Sequence, residues 1–182
     1  MMAKLLLRPS PNWNARPHGI TPTCVVLHAT ASKSVEQDVD WCRTPKSRNP
    51  RPVSYHVIID RDGTLYSLVD VLKRAWHAGV SSFRGVSDVN SYSIGVSFAN
   101  DNTGTEPYPA AQLAVGAALV AGYARRFPAI TLDRITTHAW VREEWRKAGH
   151  PEAEIKTDPA APAFDLAAFR VRVQCELLRP VQ

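Results

Sequence analysis

Three side chains in this 182-residue chain could share one metal ion: His28, His138 and Asp158. His28 closes the apolar, β-branched run "TCVVLHA", where its ring can face the cleft that open α/β sheets present at their carboxyl edge. His138 closes a second such run, "LDRITTHA". Two imidazoles and a carboxylate form a three-donor N/O set, the number a catalytic zinc site uses when it keeps its fourth position for water. The three lie far apart in sequence and HExxH is absent, so no local motif ties them together. Read singly, each histidine is better explained as a structural residue than as a ligand.

Lys156 stands two residues before Asp158. In an extended segment such side chains point the same way, which puts an ammonium beside whatever Asp158 holds. There it could stabilise an oxyanion developing on a carbonyl substrate. The same "KTDP" string also reads as a solvated turn. Tyr55 and His56 alternate across their strand, so only one of them can share a cleft with His28. Other chemistries find no support. "DRDG" at Asp60–Gly63 opens like a calcium loop, but the position that needs a glutamate is Val71. There is no phosphate-binding glycine loop and no Gly-x-Ser-x-Gly elbow.

The elements that must position these residues follow from local patterns. "TCVVLHA" suits a central strand. Ser34 with Gln37 makes a capping box, opening a helix to about Arg43. Val53–Asp70 reads as two strands joined at an Asp62-Gly63 turn, and Tyr92–Asn100 as another strand. Pro109 opens a long Ala/Leu/Val-rich helix that ends at Arg125, Arg126 and Pro128. Trp140–Lys147 predicts a short helix or turn, and Asp165 caps a last helix. Interspersed strands and helices with a hairpin imply an α/β fold, a mixed central β-sheet flanked by helices on both faces. No linker or repeat interrupts the chain, so residues 1–182 read as a single domain with residues 1–22 as an N-terminal extension.

Composition narrows the class. Nothing approaches the ~18 consecutive apolar residues of a membrane span. The apolar part of "MMAKLLLRPSPNW" falls short of the ~7–15 residues of a signal-peptide core. The three cysteines, Cys24, Cys42 and Cys175, are an odd number without CxxC spacing, which implies buried free thiols. Net charge is +5, with arginines outnumbering lysines 16 to 6, and "RTPKSRNPR" is the densest basic stretch. It lacks base-stacking aromatics and any groove-reading motif, so no nucleic-acid partner is expected. An anionic polymer such as a bacterial cell wall fits the modest charge.

At this point the text resembles a family. "VVLHATAS", "SYHVIIDRDGTLYSLVD", "RAWHAGVSSFRG", "NSYSIGVSFAN", "YPAAQL", "THAWV" and "KTDPAAPAFDL" occur in this order between Val25 and Phe169. They look like the zinc-dependent N-acetylmuramoyl-L-alanine amidases, which include phage lysins, cell-wall recycling amidases and animal peptidoglycan recognition proteins. The resemblance implies one Zn2+ per chain held by His28, His138 and Asp158. It implies catalytic roles for Tyr55, near the metal, and Lys156, which stabilises the transition state. It implies substrate contacts at Trp76 and His77.

One departure stands out: recycling amidases of this superfamily carry a glutamate general base where this chain has Ser97. A serine cannot hold a proton as a carboxylate does, so Ser97 is left as a substrate contact and the base role passes to Tyr55 or the metal hydroxide. This favours a phage-type endolysin acting on peptidoglycan. Such a lysin is expected as a monomer held in the cytoplasm until a membrane pore releases it. The alternatives are a cytoplasmic muropeptide-recycling amidase and a non-catalytic peptidoglycan-binding module. His150, within Val141–Ile155, is expected to stay away from the metal.

Overall fold

The computed structural model describes residues 3–180. In chain order its strands are β1 (Leu5–Leu7), β2 (Trp13–Ala15), β3 (Cys24–Ala29), β4 (Val57–Ile59) and β5 (Leu65–Ser67). They continue as β6 (Lys73–Ala75), β7 (Ser82–Phe83), β8 (Val86–Ser87), β9 (Ser93–Phe98) and β10 (Ile135–Thr137). The α-helices are α1 (Val35–Arg43), α2 (Ala110–Arg126), α3 (His138–Lys147) and α4 (Leu166–Leu177). The main sheet runs β1-β5-β4-β9-β3-β10, and every pairing is parallel except β4 with β5. It is the mixed sheet expected from the sequence.

Period-2 alternation assigns the faces. Val25 and Leu27 of β3 and Ile94, Val96 and Phe98 of β9 enter one core with Val120 and Ala121 of α2 and Phe169 and Val173 of α4. On the opposite face, Val35, Val39 and Cys42 of α1 pack with Ile58, while Val141 of α3 packs with Cys24 and Val26. Helices therefore cover both faces. Helix α2 approaches closely because it carries Gly116 over the sheet: a Cβ there would lie 2.7 Å from the Phe98 ring. Three helices start on the side-chain caps their sequences offer. The hydroxyls of Ser34 and Thr137 accept from the backbone N–H groups of Gln37 and Trp140, and the Asp165 carboxylate accepts from that of Ala168.

The N-terminal segment is more than an extension. β1 is an edge strand of the main sheet, β2 pairs with β6, and the buried Arg16 guanidinium donates to the carbonyls of Val71, Asn90, Ser91 and Ser93. The expectation of three buried thiols holds for Cys24 and Cys42 only; Cys175 is free and exposed on α4. No helix among the described residues is long and apolar enough to cross a membrane.

Candidate metal centre

Parallel register does most of the assembly. His28 is level with Ser97 across the β3–β9 ladder, and Leu27 is level with Thr137 across β3–β10. The residue after Thr137 is His138, which therefore arrives beside His28 at the carboxyl edge. Strand β10 stops there because Thr137 caps α3 and His138 becomes its first residue. The free N–H at the start of α3 then captures the third partner, since Ala139 N–H donates to the Asp158 carbonyl at 3.1 Å. A second tether holds the same loop: Asn102 accepts from Ala160 N–H at 2.8 Å and donates to Thr157 at 3.2 Å.

The result is a compact donor set. His28 Nδ1 lies 3.1 Å from Asp158 Oδ2, and His138 Nδ1 lies 3.0 Å from Oδ1 and 3.1 Å from Oδ2. The ligand atoms of all three residues fall within 4.8 Å of one another. Donors on a tetrahedral zinc at ~2.0–2.1 Å stand ~3.3 Å apart, so these separations suit that ion. His28 is fully buried, and the side chains of His138 and Asp158 are 12% and 13% exposed, so the set is largely shielded from solvent. Burial pushes the Asp158 carboxyl up, but hydrogen bonds with His138 and His28 outweigh it and hold the group ionised. Burial lowers the His28 imidazole to about 4 despite Asp158. A neutral imidazole and an ionised carboxylate are the protonation states a metal requires.

The other expected residues fall at varied distances from this centre. The Tyr55 ring packs 5.0 Å from that of His28. Burial pushes its phenol well above the ordinary value, with Cys42 and Asp158 adding to the shift, so Tyr55 keeps its proton. Lys156 Nζ is bound to Glu154 Oε1 at 2.9 Å rather than lying against Asp158. Trp76 is partly exposed, with its indole N–H donating to Asn14 at 2.8 Å.

Two expectations need correction. His77 does not line a groove: it is 5% exposed and sits behind His28, with Nδ1 3.1 Å from His28 Nε2 and Nε2 3.1 Å from Ser93 Oγ. Ser97 is fully buried in the central strand beside His28, so it offers no exposed contact to a substrate. The expected split between Tyr55 and His56 does occur, although the strand begins only at Val57. His56 is the satisfied one: its Nδ1 accepts from Gly95 N–H at 2.9 Å, which leaves Nε2 to donate to the Lys73 carbonyl at 3.1 Å. His150 stacks on Trp145 at 3.8 Å, away from the donor set as expected.

Sequence reasoning missed Ser93, Gly95, Asn90 and Arg16, which form the buried layer under the histidines. The available signal was the small residues Ser93, Gly95 and Ser97 on alternate positions of an otherwise apolar strand.

A three-donor N/O set at the carboxyl edge of a mixed sheet, with a phenol beside it, makes a candidate metal site, and comparison with known proteins gives the family. The chain belongs to the Amidase_2 family, N-acetylmuramoyl-L-alanine amidase, whose sequence profile matches residues 18–161. It is 34% identical over 178 residues to the 1,6-anhydro-N-acetylmuramyl-L-alanine amidase AmpD of Citrobacter freundii, covering 91% of this chain and 88% of that one. A crystal structure of a selenomethionine AmpD derivative superposes with a TM-score of 0.75 at 32% identity, covering 94% of each chain. The N-acetylmuramoyl-L-alanine amidase LysC of Clostridium intestinale has the same fold at 18% identity, with a TM-score of 0.68 over 95% of this chain and 99% of that one.

Proposed function

We propose that this amidase is a zinc enzyme that hydrolyses the bond between the muramic lactyl carbonyl and L-alanine in soluble 1,6-anhydro-muropeptides. The substrate carries the reading: a relative that is 34% identical over most of both chains is named for the 1,6-anhydro sugar, whereas solved endolysins, at 20% identity, share only the fold. This departs from the endolysin expected from Ser97, and makes a recycling role inside the cell the primary reading. Ser97 carries less weight than that similarity: it is fully buried, level with His28 and in reach of the Tyr55 phenol, and a serine there does not identify the substrate.

His28, His138 and Asp158 hold the ion. Bound there, zinc supplies the Lewis acidity that polarises the scissile carbonyl and activates water. Tyr55, a neutral phenol beside His28, serves as a hydrogen-bond donor to the reacting oxygen rather than as a base. Lys156 swings from its exposed pairing with Glu154 to place Nζ on the developing oxyanion; such a surface pair holds by at most ~1 kcal/mol.

Mass spectrometry of products from soluble 1,6-anhydro-muropeptides and from purified sacculi, each with and without a chelator, tests this. Stem peptide should be released from the soluble fragment, stop with chelator, and appear far more slowly from sacculi. Equal or faster release from sacculi would return the endolysin reading. Binding without cleavage of either substrate would leave a recognition module.

A further inference from the structure

Behind the proposed metal ligand His28 lies a hydrogen-bonded line that the hydrolytic chemistry does not use. It runs from Asp158 through His28 and His77 to Ser93, with contacts of 3.1 Å at each link. His28, His77 and Ser93 are all 5% exposed or less. The rings of His28 and His77 meet edge to face at 85°. Room for the second ring comes from Gly95, where a Cβ would stand 2.4 Å from His77 Cγ. Asn90 fixes the backbone of the segment by accepting from the N–H groups of His77 and Ala78 at 3.1 and 2.8 Å. Arg16 in turn holds the carbonyls of Asn90 and Ser93, at 3.2 and 2.8 Å. The placement of His77 is thus built from three separate segments.

Two proton arrangements satisfy this line with both imidazoles neutral. In one, His28 carries its proton on Nδ1 and gives it to Asp158, His77 donates from Nδ1 to His28 Nε2, and Ser93 donates to His77 Nε2. In the other, His28 donates from Nε2 to His77 Nδ1, and His77 donates from Nε2 to Ser93 Oγ. Both hold one proton per ring, so only tautomers change. Only the second leaves the His28 Nδ1 lone pair facing Asp158 and His138, free for a metal. Metal-bound histidines usually give their other N–H to a carboxylate or carbonyl, which can only accept. An imidazole can accept or donate, and Ser93 can follow it either way.

We propose that His77 is a positioning residue that sets the tautomer of His28, holding its proton on Nε2 when Nδ1 takes the metal, with Ser93 completing the relay. The role rests on the zinc reading above.

Zinc affinity in competition with a chromophoric chelator, together with long-range 15N–1H spectra of the imidazoles, separates the two ideas. The unaltered protein should bind one zinc, and His77 in that zinc-loaded protein should carry its proton on Nε2. His77→Leu removes the acceptor and should weaken zinc binding ~10–100-fold. His77→Asn, whose Oδ1 occupies the place of Nδ1, should restore most of that loss, which a merely space-filling role would not predict. Zinc bound as tightly by His77→Leu as by the unaltered chain, or a proton on His77 Nδ1 in the loaded protein, would overturn the proposal. Should His77→Leu fail to fold in chelator, the 15N spectrum of the unaltered protein alone decides. No zinc on the unaltered protein would instead sink the zinc reading itself.

Discussion

Among single residues, Asp158 and Lys156 separate binding from catalysis. Asp158 is the donor against which both imidazoles converge, so Asp158→Ala should lose bound zinc and, with it, activity. Metal analysis after dialysis checks this, and stoichiometric zinc in the variant would remove Asp158 from the ligand set. Lys156→Ala should retain zinc but lose ~10²–10³ in kcat, the cost of deleting one oxyanion donor. An undiminished kcat would mean that the ammonium serves only Glu154, with which it is paired here. Asp158 was legible as a candidate donor through the family-like "KTDP" text, and Lys156 as a candidate beside it. The Glu154 pairing was not, because a long, exposed side chain chooses among rotamers that the sequence does not rank.

At the level of elements, the closeness of α2 to the sheet makes a contrast between two glycines on one helix. Alanine improves helix propensity by ~1 kcal/mol at either. At Gly116 its methyl would meet Phe98 ring atoms at 2.7 and 2.9 Å, and that ring is held among Tyr108, Phe164 and Phe169. Overpacking of that kind costs ~1–3 kcal/mol, so Gly116→Ala should be destabilised overall. Gly122 has nothing within 4 Å, so Gly122→Ala should be stabilised by up to ~1 kcal/mol. Urea midpoints of the two variants should move in opposite directions; a shared direction would show that the α2–sheet gap is wider than this packing implies. The helix itself was readable from Pro109 to the terminal arginines. Which glycine faces the sheet was not, since α2 is apolar around much of its circumference.

Across the whole molecule, the buried imidazole layer makes folding sensitive to acid. Burial first, and then the Arg16 charge, lower His56 to about 3 against the contributions of Lys73, Gly95 and Asp70. An unfolded histidine titrates near ~6.5, so below that pH the unfolded chain binds the extra proton and stability falls until about pH 3. The slope is up to ~1.4 kcal/mol per pH unit for one such group. In chelator, the melting temperature should be flat above pH 7 and drop progressively below about pH 6, and His56→Gln should reduce the drop. A melting temperature constant from pH 7 to pH 4 would refute this account.

The sequence by itself determined the α/β class, the helices, the central strands and the family, because each rests on local periodicity, cap chemistry or ordered motifs. It also supplied the three donors as candidates. Their meeting was decided by tertiary structure: parallel register brings His138 level with His28, and the start of α3 captures the Asp158 carbonyl. Tertiary structure also moved His77 and Ser97 from the surface to the interior. It turned the N-terminal segment into an edge strand and the source of Arg16. Burial and hydrogen-bond partners come from distant parts of the chain, and no local pattern around a histidine specifies which face of the sheet will be covered.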